Sequence, residues 1–420
     1  MKSHQLMYRW IVSGLLLLLM PSMAPAQLSL NAEFRPRTEF RNGYRQLGIT
    51  GSDPALFTSQ RTRLSLFYES DLYSIGLTGQ DVRVWGDVAQ LQDNANVNIH
   101  EAWAQLKLSE SARVKLGRQE LVYGDHRLLG NVNWTQQARS HDAFVVKYRH
   151  PSIDMRIEWG GAYNQESERL LGNEYTLPNY KVLSYLWIEK QWEALSVSAL
   201  ALTDGFERPA GGTAFRYTYG TQLVYGGNGW ALNGTVYLQN GDDTANSEIS
   251  SSMYALKALY NYNSLQLSAG YDRLSGGEAD DTNPRRYTFN TLYATNHKFY
   301  GHMDYFLNIP ADTRGGGLQD LYLQASYEFD DRTSADLTYH YFALAGSVAD
   351  PAQPGQVLEK GLGSELDLSA GWVVTPEIAL KAGYSIMLPT ETLERLQQVD
   401  ARTVQHWGWI MLSLTPSLLD

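Results

Sequence analysis

The stretch Leu28–Arg41, LSLNAEFRPRTEFR, decides the fold. Leu28, Leu30, Ala32 and Phe34 share one parity, while Ser29, Asn31, Glu33, Arg35, Arg37, Glu39 and Arg41 share the other. Successive side chains of a strand point to opposite faces, so a strand here has one apolar face and one charged face. The pattern recurs far down the chain. Leu265, Leu267, Ala269 and Tyr271 oppose Gln266, Ser268, Gly270 and Asp272; Ala335, Leu337, Tyr339 and Tyr341 oppose Ser334, Asp336, Thr338 and His340; Leu366, Leu368, Ala370 and Trp372 oppose Glu365, Asp367 and Ser369. No segment shows a 3.6-residue period of comparable strength; residues 391–402 read as one short helix or a loop, and the rest as strands.

Connection lengths set the architecture. Eight tight turns fall at Asp71–Tyr73, Ser109–Ser111, His150–Ser152, Gln191–Glu193, Gly226–Asn228, Asn261–Asn263, Asp330–Arg332 and Thr375–Pro376. Nine longer polar segments alternate with them, at 42–57, 86–96, 121–138, 164–179, 204–213, 240–251, 275–317, 344–362 and 388–403. Nine hairpins joined by eight turns give eighteen strands, with both chain ends on the short-turn side. Short turns on one side and long loops on the other are the mark of a transmembrane antiparallel β-barrel, with short periplasmic turns and long extracellular loops. Lipid satisfies no backbone N–H, so such a sheet must close on itself. Aromatics near strand ends, such as Tyr68, Tyr148, Trp159, Tyr225, Tyr260, Tyr262, Tyr327 and Phe329, fit interfacial girdles. A soluble sandwich, propeller or solenoid would also alternate, but no 40-residue propeller repeat is visible, and a single two-sheet sandwich would struggle to hold so many long strands.

Composition agrees. The 420 residues include 27 Tyr, 11 Trp and no Cys, and charged residues make up only 19%. The absence of Cys removes disulfides, thiol nucleophiles and Cys-based zinc sites. A net charge of −11 with no long basic run disfavours nucleic acid as a partner. At the N-terminus, Lys2, His4 and Arg9 precede the apolar run Trp10–Met20 and the sequence Ala24-Pro25-Ala26. This is the form of an export signal cleaved near Ala26, so residues 1–26 are excluded from the fold and 27–420 form the barrel. Export then leads to the Gram-negative outer membrane, whose lipid is the barrel's first partner.

Eighteen strands leave an aqueous channel rather than a packed interior. The wet parity of the first third is heavily charged, with Arg35, Arg37, Arg61, Arg63, Asp81, Arg83, Glu101, Lys107, Arg113, Lys115, Lys147 and Arg149. Residues 27–160 hold about 16 Lys/Arg against 15 Asp/Glu, and the remainder about 16 against 30. Arginine rings bias a pore toward anions and grip carboxylates bidentately. The alternative use of such arginines is to brace the wall through Arg–Glu pairs. Two places break the alternation. Asp81 and Arg83 share the parity of Leu77, and a bulge near Gly79 is expected to return both to the lumen. Arg118 shares the parity of Val114 and Leu116, so Gly117 marks a bulge or the rim.

Four segments resemble the alginate export family of outer-membrane proteins: Gln80–Asp87 (QDVRVWGD), His100–Leu106 (HEAWAQL), Leu116–Phe144 (LGRQELVYGDHRLLGNVNWTQQARSHDAF) and Asn296–Phe306 (NHKFYGHMDYF). The resemblance implies an eighteen-stranded, arginine-rich, anion-selective conduit for an acidic oligo- or polysaccharide, working with periplasmic export or uptake partners. By motif position it implies pore or loop-anchoring roles for Asp81, Arg83, Glu101, Arg118, Asp125, Arg127, Arg139 and Asp142. The sequence departs from the alginate exporter itself, which has a long periplasmic turn that plugs its barrel; every inferred periplasmic turn here is short.

Catalysis is not expected. There is no G-x-S-x-G elbow and no H-E-x-x-H, and the nine histidines are scattered. No metal site or cofactor is expected: Asp242-Asp243 and Asp280-Asp281 read as solvated loop acids, although such pairs bind Ca²⁺ weakly. Three readings of function remain: a conduit for anionic saccharide, a general or substrate-specific uptake porin, and a non-conducting adhesin or structural barrel whose outer loops bind a partner.

Overall fold

The computed structural model describes residues 27–419 apart from 93, 95, 402 and 403, so the export signal lies outside the described residues. The strands are β1 (Gln27–Asn42), β2 (Ala55–Glu69), β3 (Tyr73–Val84), β4 (Val97–Lys107), β5 (Ala112–Gln119), β6 (His141–Arg149), β7 (Met155–Tyr163), β8 (Val182–Gln191) and β9 (Leu195–Glu207). They continue as β10 (Thr213–Gly227), β11 (Trp230–Asp242), β12 (Glu248–Tyr262), β13 (Leu265–Leu274), β14 (Leu318–Glu328), β15 (Thr333–Ala343), β16 (Gly361–Thr375), β17 (Ile378–Pro389), β18 (Gln405–Leu414) and β19 (Ser417–Leu419). From β1 to β18 each pairs antiparallel with its sequence neighbours, and β1 pairs with β18 from Phe34↔Leu414 to Asn42↔His406, which closes the barrel. The short β19 continues the stave of β18 past Pro416, pairing Leu419 with Leu30 and Ser417 with Asn31. The barrel therefore has eighteen staves, and the alternation of short turns and long loops is the one read from the sequence.

The outer face is apolar along its length. Leu256, Leu323 and Ile410 are each more than half exposed, as residues facing acyl chains must be when no lipid covers them. No helix among the described residues is long and apolar enough to cross a membrane; strands do the crossing. Residues 391–397 form a short helix inside the loop before β18, in line with expectation.

The packed core lies inside the cylinder. Phe289, Tyr300, Met303, Phe306 and Ile309, all from loop 275–317, are buried there beside Leu274, Leu318, Phe342 and Trp407 from the inner faces of the wall. The lumen is thus partly filled by the chain's own loops.

The bulge expected at Gly79 is present but belongs to the neighbouring strand. Thr78 faces Glu101 and Gly79 faces Ile99, so the extra residue, His100, is on β4. The ladder between β2 and β3 runs unbroken from Glu69↔Ser74 to Ser59↔Val84. Asp81 and Arg83 therefore stay on the lipid-side face with Ile75 and Leu77, contrary to the expectation that they return to the lumen. The bulge instead brings His100 and Glu101 together on the inner side, where His100 Nε2 lies 2.8 Å from Glu120 Oε1 and Glu101 accepts the Glu120 amide at 3.1 Å.

Candidate functional site

Loop 120–140 enters the lumen carrying backbone carbonyls that no sheet partner satisfies, and such groups need donors. The inner face of β1 and β2 supplies them as guanidinium forks, whose donors have fixed geometry. Arg35 donates from Nη1 to the Asn133 carbonyl at 2.9 Å, from Nη2 to the Thr135 carbonyl at 2.9 Å, and to Gln136 Oε1. Arg37 donates to the Trp134 carbonyl at 2.8 Å and lies over its ring at 4.2 Å. Arg61 donates to Asn133 Oδ1 at 2.8 Å and forms a two-pronged pair with Glu33. Gln80 on β3 completes the set through the Gln137 carbonyl. The three arginines are 6%, 5% and 1% exposed, so their charge is spent on the loop and on Glu33 and Glu39.

Loop 275–317 is fixed to β9 and β16 in the reverse sense, with wall carboxylates accepting loop donors. Met303 N–H donates to Glu365 Oε1 at 2.7 Å, His302 N–H to Asp367 at 3.2 Å, and the Tyr293 hydroxyl to Asp204 at 2.8 Å. The two loops then lock to each other. Gly130 N–H donates to the Tyr293 carbonyl and Tyr293 N–H to the Leu128 carbonyl, a parallel bridge across the lumen. Arg139 clamps the crossing through the carbonyls of Gly130 and Ala294. A side chain at residue 130 would place its Cβ 2.4 Å from Thr295 Oγ1, so the crossing requires glycine. Arg127 joins this assembly to the wall, pairing with Asp125 and, at 2.6 Å, with Asp272. Burial, the largest influence on Arg127, opposes its charge, but Asp272, Tyr300 and Asp125 together outweigh it and hold the guanidinium charged.

The arginine arc of the sequence reading thus divides three ways. Arg35, Arg37, Arg61, Arg127 and Arg139 anchor loops. Asp81, Arg83 and Arg118 face outward at the extracellular rim: Arg83 pairs with Asp81 at 2.7 Å, and Arg118 with Asp142 at 3.1 Å. The β5–β6 ladder is regular through Arg118↔Asp142, so Gly117 marks the rim and does not turn Arg118 inward. Such charges cost little near the interface and much at mid-membrane, which agrees with their place within three residues of the strand ends. Arg63, Glu101 and Arg113 remain on the inner face.

Among the described residues of the β2–β6 wall, the inward cations that form no ion pair are Arg63, Arg113 and Lys115. Arg63 Nε donates to Gln80, and its Nη2 is buried with no hydrogen-bond partner. Lys115 lies 3.9 Å above the Trp103 ring. Arg113 sits one ladder step from Lys147 and Lys107, toward the periplasmic mouth. Two further cations lining the lumen lie outside the arc altogether, Lys257 on β12 and Lys298 in loop 275–317. Lys257 had a signal, its wet parity between Leu256 and Ala258; Lys298 had only its place in the Asn296–Phe306 motif.

The comparisons agree with this architecture. The alginate export family model matches residues 26–166. No curated protein sequence matches the chain. Among solved structures, OccAB1 of Acinetobacter baumannii superposes with a TM-score of 0.66 at 12% identity, covering 93% of this chain and 97% of that one. OccK11 (OpdR) of Pseudomonas aeruginosa gives 0.60 at 12% identity over 94% and 96% of the two chains. The outer membrane protein opdK of Pseudomonas aeruginosa gives 0.59 at 11% identity over 93% and 99%. At such identities the likeness is one of fold: a closed eighteen-stranded barrel of the outer-membrane porin type.

Proposed function

We propose that this outer-membrane barrel, whose first third carries the alginate export match, passes anionic solutes, with short acidic saccharides as the solute class. One observation carries the reading: Arg63, Lys115 and Arg113 step down one inner wall below the inward loops, and none of them forms an ion pair among the described residues. Unpaired cations lining a low-dielectric wall lower the barrier to an anion, and several weak sites in series let it move on. Arg63 keeps a buried guanidinium donor, Nη2, without a partner, and a carboxylate drawn beside it would satisfy it.

The interlocked loops favour a short solute over a long polymer. Chain from two directions crosses the lumen, and its anchors reach inner-face residues on β1, β2, β3, β9, β13 and β16. The test is uptake into liposomes carrying the purified protein. An acidic disaccharide is expected to enter faster than a neutral one of equal size, and equal rates would overturn the anionic reading.

A further inference from the structure

Beneath the Phe299–His302 segment lies a cavity of about 270 Å³ bounded by β11–β15 and by both inward loops. At about 30 Å³ per water it has room for a monosaccharide-sized molecule. Its carboxylates are already matched: Asp125 and Asp272 pair with Arg127, and Asp320 contacts His340 Nδ1 through both oxygens, at 2.9 and 3.0 Å. Its lysines are not. Lys257 Nζ donates to the neutral Gln324 Oε1 at 3.1 Å, and Lys298 Nζ to the backbone carbonyl of Asp125 at 3.1 Å. Neither forms an ion pair among the described residues. A second group there is also unsatisfied: Asp272 is 1% exposed, and its Oδ1 has no hydrogen-bond partner.

These two deficits have complementary cures. Lysine ammoniums that line one cavity and form no ion pair take a carboxylate, and a buried carboxylate oxygen without a donor takes a hydroxyl. We infer that the cavity is a binding site for a single small hydroxy-carboxylate of sugar-acid size, its carboxylate on Lys257 and Lys298 and a hydroxyl on Asp272. This deepens the anion-conduit reading and rests on it for the route by which the ligand arrives. The site is on the acid-rich wall, away from the arginine arc. Because Lys298 and Asp125 come from different loops, the ligand would sit against the contact that joins them.

Titration calorimetry of the detergent-solubilised, full-length protein with sodium glucuronate, and with glucose as the neutral control, tests the site. Wild type is expected to bind glucuronate and to bind glucose at least tenfold more weakly. The K257Q/K298Q double variant is expected to lose at least tenfold in glucuronate affinity, and K257R/K298R to retain most of it with the same barrel fold. Equal binding of glucose, undiminished binding by K257Q/K298Q, or no glucuronate binding by wild type would each overturn the site. The conduit reading fails separately, on liposome uptake: wild type that binds glucuronate yet shows no preference for acidic sugars keeps the site and loses the conduit.

Discussion

Arg61 and Arg63 stand two residues apart on the same inner face of β2, and the protein uses them in opposite ways. Arg61 is 1% exposed, tied to Asn133 of the inward loop and to Glu33. Arg63 makes one side-chain bond, to Gln80, and forms no ion pair among the described residues. Both have the same residue type, parity and strand. What separates them is height: Arg61 lies level with the tip of loop 120–140, and Arg63 lies one inward position below it. Inward parity places a charge in the lumen, but whether it meets solute or backbone depends on which loops fold inward at its level.

Removing the anchoring arginine should have the largest effect. Arg61→Ala removes the short pair with Glu33, leaving it only Arg35 at 3.8 Å, and removes the Asn133 anchor as well; breaking a largely buried pair costs up to about 3–5 kcal/mol. Unfolding of the detergent-solubilised protein, followed by tryptophan fluorescence, should show that loss; an unchanged midpoint would mean the loop is held by other contacts. Next comes the loop crossing. Gly130→Val forces a side chain into Thr295 and should part the two loops at a cost of about 1–3 kcal/mol, raising single-channel conductance while the barrel persists. Unchanged conductance would show that the crossing does not narrow the path. The smallest effect belongs to the outer rim. Asp81→Asn combined with Arg83→Gln alters an exposed pair on the lipid side and should shift stability by no more than about 0.5 kcal/mol, with no change in ion preference. A large selectivity change there would place the pair in the conduit after all.

Much of the fold could be read before any coordinates, because lipid and water impose a two-residue period on every stave, and turns need fewer residues than loops. The strand count, the short turns and the length of loop 275–317 follow from that period alone. The site was legible only in part. Parity correctly put Arg35, Arg37, Arg61, Arg63, Glu101 and Arg113 on the inner face, but parity contains nothing about which carbonyls a distant loop will bring to them. The Gly79 expectation failed for a related reason. A bulge is a property of two strands, and the extra residue was His100 on the partner. Lys257 and Lys298 stood out only once the three-dimensional pairing showed which cations formed no ion pair.

The reversal potential of the purified protein in a planar bilayer under a salt gradient is the most direct measurement of whether unpaired wall cations set the pore's preference. Wild type should favour anions, and the R63Q/R113Q/K115Q variant should lose most of that preference while R35Q, with its charge already committed to the loop, changes it little. A cation-selective wild type, or a triple variant indistinguishable from it, would contradict the account.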